Sequence, residues 1–256
     1  MVANGCTDNT AEIARSFGSC VQVLCIPDAS KHLALLAGDR AAADFPRIYV
    51  DADVELRLAD VLALEAELRK SGVLACVPVR VLALDGCPWP VRWYYDIWSR
   101  LPQVRAGLFA RGALAVSAAG HQRLASLPPL LADDLFASLS FSPAERSIAG
   151  GARVICHPPR RVADLLRRRI RVATGVVQIE RSAQAPPSTA RTRPAELAAI
   201  LRDQPSAAPR LMLFLVVTII SRLAAGRMIG RGDYSTWLRD ESSRSDRAVV
   251  TARPSR

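Results

Sequence analysis

The sequence lacks the cysteine and histidine spacings that are typical of zinc sites. None of its six cysteines forms a CxxC pair, and its three histidines do not complete a zinc-binding pattern. No signal peptide is visible, because turn residues follow Met1 where a charged region and an apolar segment would stand. Most of the cysteines lie among apolar residues, where a thiol behaves as a small hydrophobic side chain. We therefore expect reduced core cysteines in a cytosolic protein.

Lysine is also scarce, and this scarcity bears on the class of ligand. Lys31 and Lys70 are the only lysines among 34 basic residues. A nucleotidyltransferase would need a glycine- and lysine-rich phosphate loop near its start, and neither lysine supplies one. No recognised nucleic-acid-binding motif accompanies the pI of about 10.0, so we expect no nucleic acid among the partners.

Positive charge is unevenly distributed along this chain of 256 residues, half of which are hydrophobic. Residues 1–150 carry 14 Lys and Arg against 16 Asp and Glu, whereas residues 151–256 carry 20 against 8. The basic excess therefore belongs to the C-terminal part and indicates an anionic partner surface there. The length and the hydrophobic content fit one domain with attached segments.

Segments with the periodicities of helices and strands alternate in the N-terminal third of the chain. We expect helices at 9–17, 31–43 and 56–70, and strands at 21–26, 47–50 and 73–84. This alternation predicts an α/β sandwich with a mostly parallel sheet, in which ligands bind beyond the carboxyl ends of the strands. Asp8 and the pair Asp51 and Asp53 both fall close to such positions.

Two carboxylates close the apolar run Ile48-Tyr49-Val50, in the sequence Asp51-Ala52-Asp53. Carboxylates at the end of a hydrophobic strand are costly to bury unless a cation lies beside them. Mg²⁺ takes oxygen ligands from one or two carboxylates together with phosphates. The pattern therefore predicts that Asp51 and Asp53 bind a divalent metal that carries a diphosphate.

Two further segments each allow a structural and a functional interpretation. Five aromatic residues fall within ten positions, and they suit either a helix packed into the core or a wall for a sugar or lipid acceptor: Trp89, Trp93, Tyr94, Tyr95 and Trp98. The adjacent Asp133 and Asp134 precede an apolar run. They fit either the N-terminus of a helix or a general base in a cleft, with one carboxylate orienting the other.

In this order the motifs resemble those of the family 2 glycosyltransferases with the GT-A fold. The matching segments are residues 3–11, the run Tyr49-Val50-Asp51-Ala52-Asp53 and the pair Asp133-Asp134, followed by a strand and an arginine-rich segment. The resemblance covers about residues 1–175. It implies a GT-A-like, Rossmann-like domain with a mostly parallel sheet and flanking helices.

The resemblance also implies roles for these residues. Asp51-Ala52-Asp53 matches the DxD motif, whose first aspartate approaches the donor ribose and whose last approaches the Mg²⁺ or Mn²⁺ that bridges the diphosphate. Asn4 and Asp8 match the turn that forms part of the nucleotide pocket. Asp134 matches the base of an inverting transfer, and Asp133 stands where the family has glutamate. The implied reaction moves a sugar from a nucleotide-diphosphate donor to a hydroxyl of a lipid, a polysaccharide or a small molecule.

The chain departs from this family at its start. The family's first strand and the turn after it form part of the nucleotide pocket, whereas Met1 lies within what matches the second strand. Loss of a central strand would leave unpaired strand edges, so we expect an N-terminally truncated chain that is unstable or nearly inactive. The alternative function is a non-catalytic, membrane-associated remnant or partner subunit of a glycosyltransferase.

A basic segment follows the predicted strand at 153–156. Its arginines fit a solvated face, a contact with the donor diphosphate or a contact with anionic lipid headgroups: Arg160, Arg161, Arg167, Arg168 and Arg171. His157 ends the strand beside this segment and is either structural or a third metal ligand.

The C-terminal part is divided by composition. Residues 176–209 are predicted to be a proline-punctuated linker, 210–230 a hydrophobic helix and 231–256 a polar basic tail. Arg210 and Arg222 bracket only 11 residues, which as a helix reach about 16 Å against a hydrocarbon core of about 30 Å. This helix would span a bilayer, lie in its interface or pack on the preceding domain. We expect a cytoplasmic protein that is associated with the anionic inner face of the membrane.

Overall fold

The computed structural model describes residues 1–107, 112–125, 137–181 and 192–230. The chain divides into two compact units, Met1–Phe45 and Pro46–Arg256. In the first unit, strand β1 (Val2–Asn4) pairs in parallel with β2 (Leu24–Ile26). Helix α1 (Thr10–Arg15), a 3-10 turn (Gly18–Cys20) and helix α2 (Lys31–Ala41) complete it.

The first unit confirms the order of elements that the sequence predicts but not the face of its first helix. Helical periodicity predicts that Ile13 and Phe17 face the core, yet both are more than half exposed. Helix α1 has only six residues and ends before Phe17. Helix α2 begins where predicted, because the Ser30 hydroxyl accepts a hydrogen bond from the Leu33 amide at 3.3 Å.

The second unit contains a five-stranded sheet in the order β3-β6-β5-β7-β4. Its strands are β3 (Arg47–Val50), β4 (Val54–Glu55), β5 (Ala75–Leu82), β6 (Ala113–Val116) and β7 (Arg146–Cys156). Only β5 and β7 pair in parallel, and the other three pairings are antiparallel. The sheet is therefore mixed, and the predicted mostly parallel sheet is not confirmed. Apolar periodicity indicates that a segment is a strand but contains no information on its direction.

The mixed sheet still brings the carboxyl ends of three strands to one edge. Pairing places β3 and β5 on either side of the antiparallel β6, so both run in the same direction. Strand β7 runs with β5, and the Leu82 end of β5 lies opposite Cys156. The carboxyl ends of β3, β5 and β7 therefore share an edge, which is where the Asp51–Asp53 turn begins.

Both faces of the sheet are covered by apolar side chains. Helix α3 (Leu58–Leu68) packs Leu64 against a cluster that includes Cys76 and Ala115. In a second apolar cluster, Phe141 packs with Ala75 and Val116. Helical periodicity predicts an apolar stripe on α3 that includes Leu58, Leu62 and Leu64. Only part of it is buried, because Leu64 is fully buried whereas Leu58 and Leu62 are largely exposed.

Most of the remaining helices form a second core. Helices α4 (Trp89–Arg100), α5 (Pro102–Arg105), α7 (Val162–Arg181), α8 (Pro194–Asp203) and α9 (Ala208–Gly230) contribute to it, and α6 (Ala118–Ala125) lies beside β6. Tyr94 of α4 stacks on Phe214 of α9 with ring centroids 5.1 Å apart. The aromatic segment therefore serves mainly as core, although Trp89 is 59% exposed.

The predicted linker at 176–209 is wrong over two stretches. Helix α7 extends to Arg181, and α8 occupies Pro194–Asp203. Pro194 is the first residue of α8, a position that needs no backbone N–H and suits the fixed φ of proline. Proline there marks a helix start. Residues 182–191 lie outside the described part of the chain.

The cysteine prediction holds for half of the residues. All six cysteines are free, as expected. Cys76, Cys87 and Cys156 are buried, whereas the three in the first unit are exposed: Cys6, Cys20 and Cys25.

Asp60 joins α3 to the sheet, and its removal should lower the free energy of unfolding. Its two carboxylate oxygens accept hydrogen bonds from the Arg57 amide at 3.0 Å and from the Arg153 amide of β7 at 2.8 Å. We expect Asp60→Ala to cost about 1–3 kcal/mol, because the helix loses a cap and a strand amide loses its partner. Chemical denaturation would measure this.

The matched control is Asp203→Ala, which removes the same charge from the exposed end of α8. We expect it to change stability by less than about 0.5 kcal/mol. Equal losses in the two variants would contradict a joining role for Asp60.

Candidate functional site

The candidate site is built on the turn at residues 51–53, which connects β3 to β4. The Asp51 amide donates a hydrogen bond to the Gly112 carbonyl at 2.8 Å, so the turn is attached to the start of β6. Three residues after Asp51, Val54 pairs with Cys156 at the end of β7. Asp51 and Asp53 are half-buried, while Ala52 between them is exposed. The structure thus places both predicted carboxylates in the three-residue connection that runs along the shared strand edge from β3 to β4.

Gly112 is the backbone position that lets the turn approach β6. Its φ is +82°, a conformation that glycine adopts without strain. A Cβ at this position would meet the Cγ1 methyl of Val54. A larger residue would therefore displace the chain that carries Asp53.

Two arginines lie close to the same corner of the sheet. Burial raises the pKa of the Cys156 thiol, the charge of Asp53 raises it further, and the charges of Arg80 and Arg168 lower it. The Arg80 side chain also hydrogen-bonds to this thiol, and its guanidinium lies 4.8 Å from the centroid of the Trp98 ring. The charges of one carboxylate and two guanidinium groups therefore act on the thiol at the end of β7.

Arg80 is a candidate residue that the sequence reasoning missed. It interrupts the apolar strand Val77-Pro78-Val79-Arg80-Val81-Leu82. Burying a charged side chain in such a strand costs free energy unless the charge is paired. That interruption is the signal that could have identified it. Arg168 belongs to the basic segment for which the sequence left three interpretations open.

His157 forms a specific pair with Glu55. Its Nε2 atom lies 2.9 Å from Glu55 Oε1. His157 follows Cys156 at the end of β7, and Glu55 is the last residue of β4. This contact gives His157 a structural role. Metal ligation by His157 stays a prediction, and the described ranges contain no group of three or more His, Cys, Asp and Glu side chains arranged to hold a metal.

The donor set fits a metal that is shared with a ligand. Mg²⁺ and similar hard cations bind one or two carboxylates and complete their shell with phosphate oxygens and water. Asp51 and Asp53 supply such a pair, half-buried in one turn. The nearby Arg80 and Arg168 supply positive charge for the remaining phosphate oxygens. The corner can therefore hold an anionic ligand together with a divalent cation.

The other predicted site residues are distributed differently. Asn4 and Asp8 lie in the first unit, where Asp8 accepts a hydrogen bond from the Thr10 amide at 3.1 Å. Hydrogen bonds from the Thr10 side chain and amide lower the pKa of Asp8. Asp133 and Asp134 lie outside the described residues. Their assignment as catalytic residues stays a prediction, as does that of Asn4 and Asp8 as donor-binding residues.

Comparison with known proteins shows a similarity in fold but none in sequence. No protein-family model matches the sequence, and no curated protein is similar to it in sequence. Among solved structures, the chain is similar to a mannosyltransferase from Pyrobaculum calidifontis in complex with GDP-Man and Mn²⁺, with a TM-score of 0.51 and 18% identity. The alignment covers 92% of this chain and 65% of the mannosyltransferase, so this chain spans about two thirds of that protein's length. The chain therefore has an α/β fold of the kind found in a glycosyltransferase.

Proposed function

We propose that the chain is a metal-dependent, inverting glycosyltransferase of the GT-A type. It would move a sugar from a nucleotide-diphosphate donor to an acceptor hydroxyl. The observation that carries this proposal is the turn with Asp51 and Asp53 at the carboxyl ends of β3, β5 and β7, where the charges of Asp53, Arg80 and Arg168 all act on the Cys156 thiol. The fold similarity to a mannosyltransferase that binds GDP-Man and Mn²⁺ supports it.

The proposed roles follow from charge. Transfer of a sugar leaves a nucleoside diphosphate, whose developing negative charge a bound Mg²⁺ or Mn²⁺ would take up. Asp53 would bind this metal, with Asp51 as a second ligand or a contact to the donor ribose. Arg80 and Arg168 would contact the diphosphate oxygens, because guanidinium groups match phosphate geometry.

The acceptor side is assigned to the pair Asp133 and Asp134. The attacking hydroxyl must lose a proton as its bond to the sugar forms, so a carboxylate is needed on the face opposite the leaving group. We assign this base to Asp134 and an orienting role to Asp133. Asn4 and Asp8 complete the proposal as donor-binding residues of the first unit.

The main test is calorimetric titration of UDP, GDP and dTDP into the chain, with and without Mn²⁺. We expect one nucleotide to bind only when Mn²⁺ is present. Asp53→Ala removes a direct metal ligand. It should therefore weaken this binding by more than the roughly 10–100-fold loss that follows removal of a residue hydrogen-bonded to a metal ligand. Asp203→Ala removes the same charge outside the site and should bind normally. If neither the chain nor a version extended upstream at the gene binds any of the nucleotides in Mn²⁺ while both are folded, the proposal is wrong.

Gly112→Ala tests whether binding depends on the position of the turn. The added methyl group would meet Val54 and shift the Asp51–Asp53 turn, so we expect at least about 10-fold weaker Mn²⁺-dependent nucleotide binding. Gly72→Ala is the matched control, because Gly72 has the same φ of +82° but nothing within 4 Å of its added Cβ. Both variants carry the cost of the strained backbone, and Gly112→Ala adds the cost of displacing Val54. Equal nucleotide affinities in the two variants would argue against the turn as the donor site.

Asp134→Asn tests the division of roles between donor and acceptor sides. We expect this variant to keep Mn²⁺-dependent nucleotide binding and to lose about 10²–10⁴-fold in transfer rate, the usual contribution of general base catalysis. Titration and a transfer assay would be run on the same preparation. Parallel losses of binding and transfer would contradict the assignment of Asp134 as the base.

A further inference from the structure

Helix α9 carries apolar residues on two opposite sides, but only one of these sides is covered within the described residues. Its buried side packs on the helical core through Leu211, Phe214, Val217, Ser221 and Ala225. The helix is long and apolar enough to cross a membrane, yet only 28% of its most apolar window is buried. A helix that is hydrophobic all round is normally buried on all sides, in a core or in lipid.

The uncovered side forms a continuous apolar stripe. Its members repeat every three or four residues and are 46–68% exposed: Met212, Val216, Ile219, Ile220 and Leu223. This spacing places them on one face of the helix, over a length of about 16 Å. Contiguous exposed apolar surface of this kind marks an interaction site.

The charges next to the stripe favour a lipid surface over an apolar protein partner. Arg222 and Arg227 are exposed near the C-terminal end of the stripe, and α9 contains no acidic residue. On a helical projection Arg227 continues the apolar face and Arg222 borders it. A stripe that ends in arginines is typical of helices that lie at an anionic membrane interface.

Trp89 supplies a second observation in the same region. The pairs Asp96–Arg210 and Tyr94–Phe214 show that α4 and α9 run antiparallel, so the start of α4 lies toward the half of α9 that carries Arg222. Trp89, the first residue of α4, is 59% exposed and forms an edge-on pair with Trp93. Tryptophan is enriched at the boundary between lipid and water.

We propose that the outer face of α9 docks on an anionic lipid bilayer, with its apolar stripe in the acyl boundary and Arg222 and Arg227 at the headgroups. Interfacial docking fits better than crossing, because the stripe of about 16 Å is shorter than a hydrocarbon core of about 30 Å. The opposite side of the helix also stays packed on Tyr94 and on the rest of the core. The proposal is independent of the proposed enzymatic activity.

Vesicle co-sedimentation of the full chain tests this docking. We compare vesicles of phosphatidylcholine with vesicles that also contain phosphatidylglycerol, and expect binding mainly to the second kind. Leu223→Glu should reduce this binding at least about 10-fold, because it places a carboxylate in the lipid-facing stripe. Leu62→Glu is the matched control: Leu62 is 55% exposed on α3 against 60% for Leu223, and its variant should bind as the wild type does.

A second variant tests the electrostatic part. Replacing both arginines, Arg222→Gln with Arg227→Gln, should reduce binding to the anionic vesicles about 10-fold or more and leave binding to phosphatidylcholine unchanged. Circular dichroism and thermal unfolding would verify that each variant is folded. Binding of the wild type should fall at high salt and be reversed by alkaline extraction.

Three outcomes would overturn the proposal. The first is no binding of the wild type to either vesicle. The second is resistance to alkaline extraction, which would indicate a membrane-spanning helix. The third is a stable dimer in sedimentation equilibrium that Leu223→Glu dissociates, because the stripe would then be a contact between two copies of the chain.

Discussion

The parallel pairing of β5 with β7 is the constraint on which the second unit depends. These two strands share eight residue pairs, from Ala75 opposite Arg146 to Leu82 opposite Cys156. The register shifts between Pro78 and Val79, which is consistent with a proline that cannot donate to the ladder. Helix α3 is attached to β7 through Asp60, and β4 pairs with its last residues. The position of the Asp51–Asp53 turn follows, because the turn must reach the end of β7 within three residues of β3.

Charges of both signs act on the thiol at the end of β7. Asp53 acts on the Cys156 thiol together with Arg80 and Arg168, so carboxylate and guanidinium groups share one small region. The burial of the Cys156 thiol, which raises its pKa, fits a structural residue better than a nucleophile.

The two sides of helix α9 face different surroundings. One side continues the core formed by α4 and α7, where Tyr94 stacks on Phe214 and Asp96 pairs with Arg210. The other side presents a row of large apolar residues to the outside. The apolar residues on the two sides of α9 therefore face different surroundings. A hydropathy profile averages over all residues of a helix and cannot distinguish the two sides.

The sequence by itself determined the local features whose causes are local. Apolar periodicity placed β3 at Arg47–Val50, the Ser30 cap placed the start of α2, and two aspartates after a strand marked the site. The tertiary structure decided what depends on distant contacts. It set the mixed strand directions, placed Asp53, Arg80 and Arg168 where their charges act on the same thiol, and left one face of α9 uncovered within the described residues. The physical reason is that strand direction, charge proximity and burial are properties of pairs of segments far apart in the chain, whereas caps and periodicity act within a few residues.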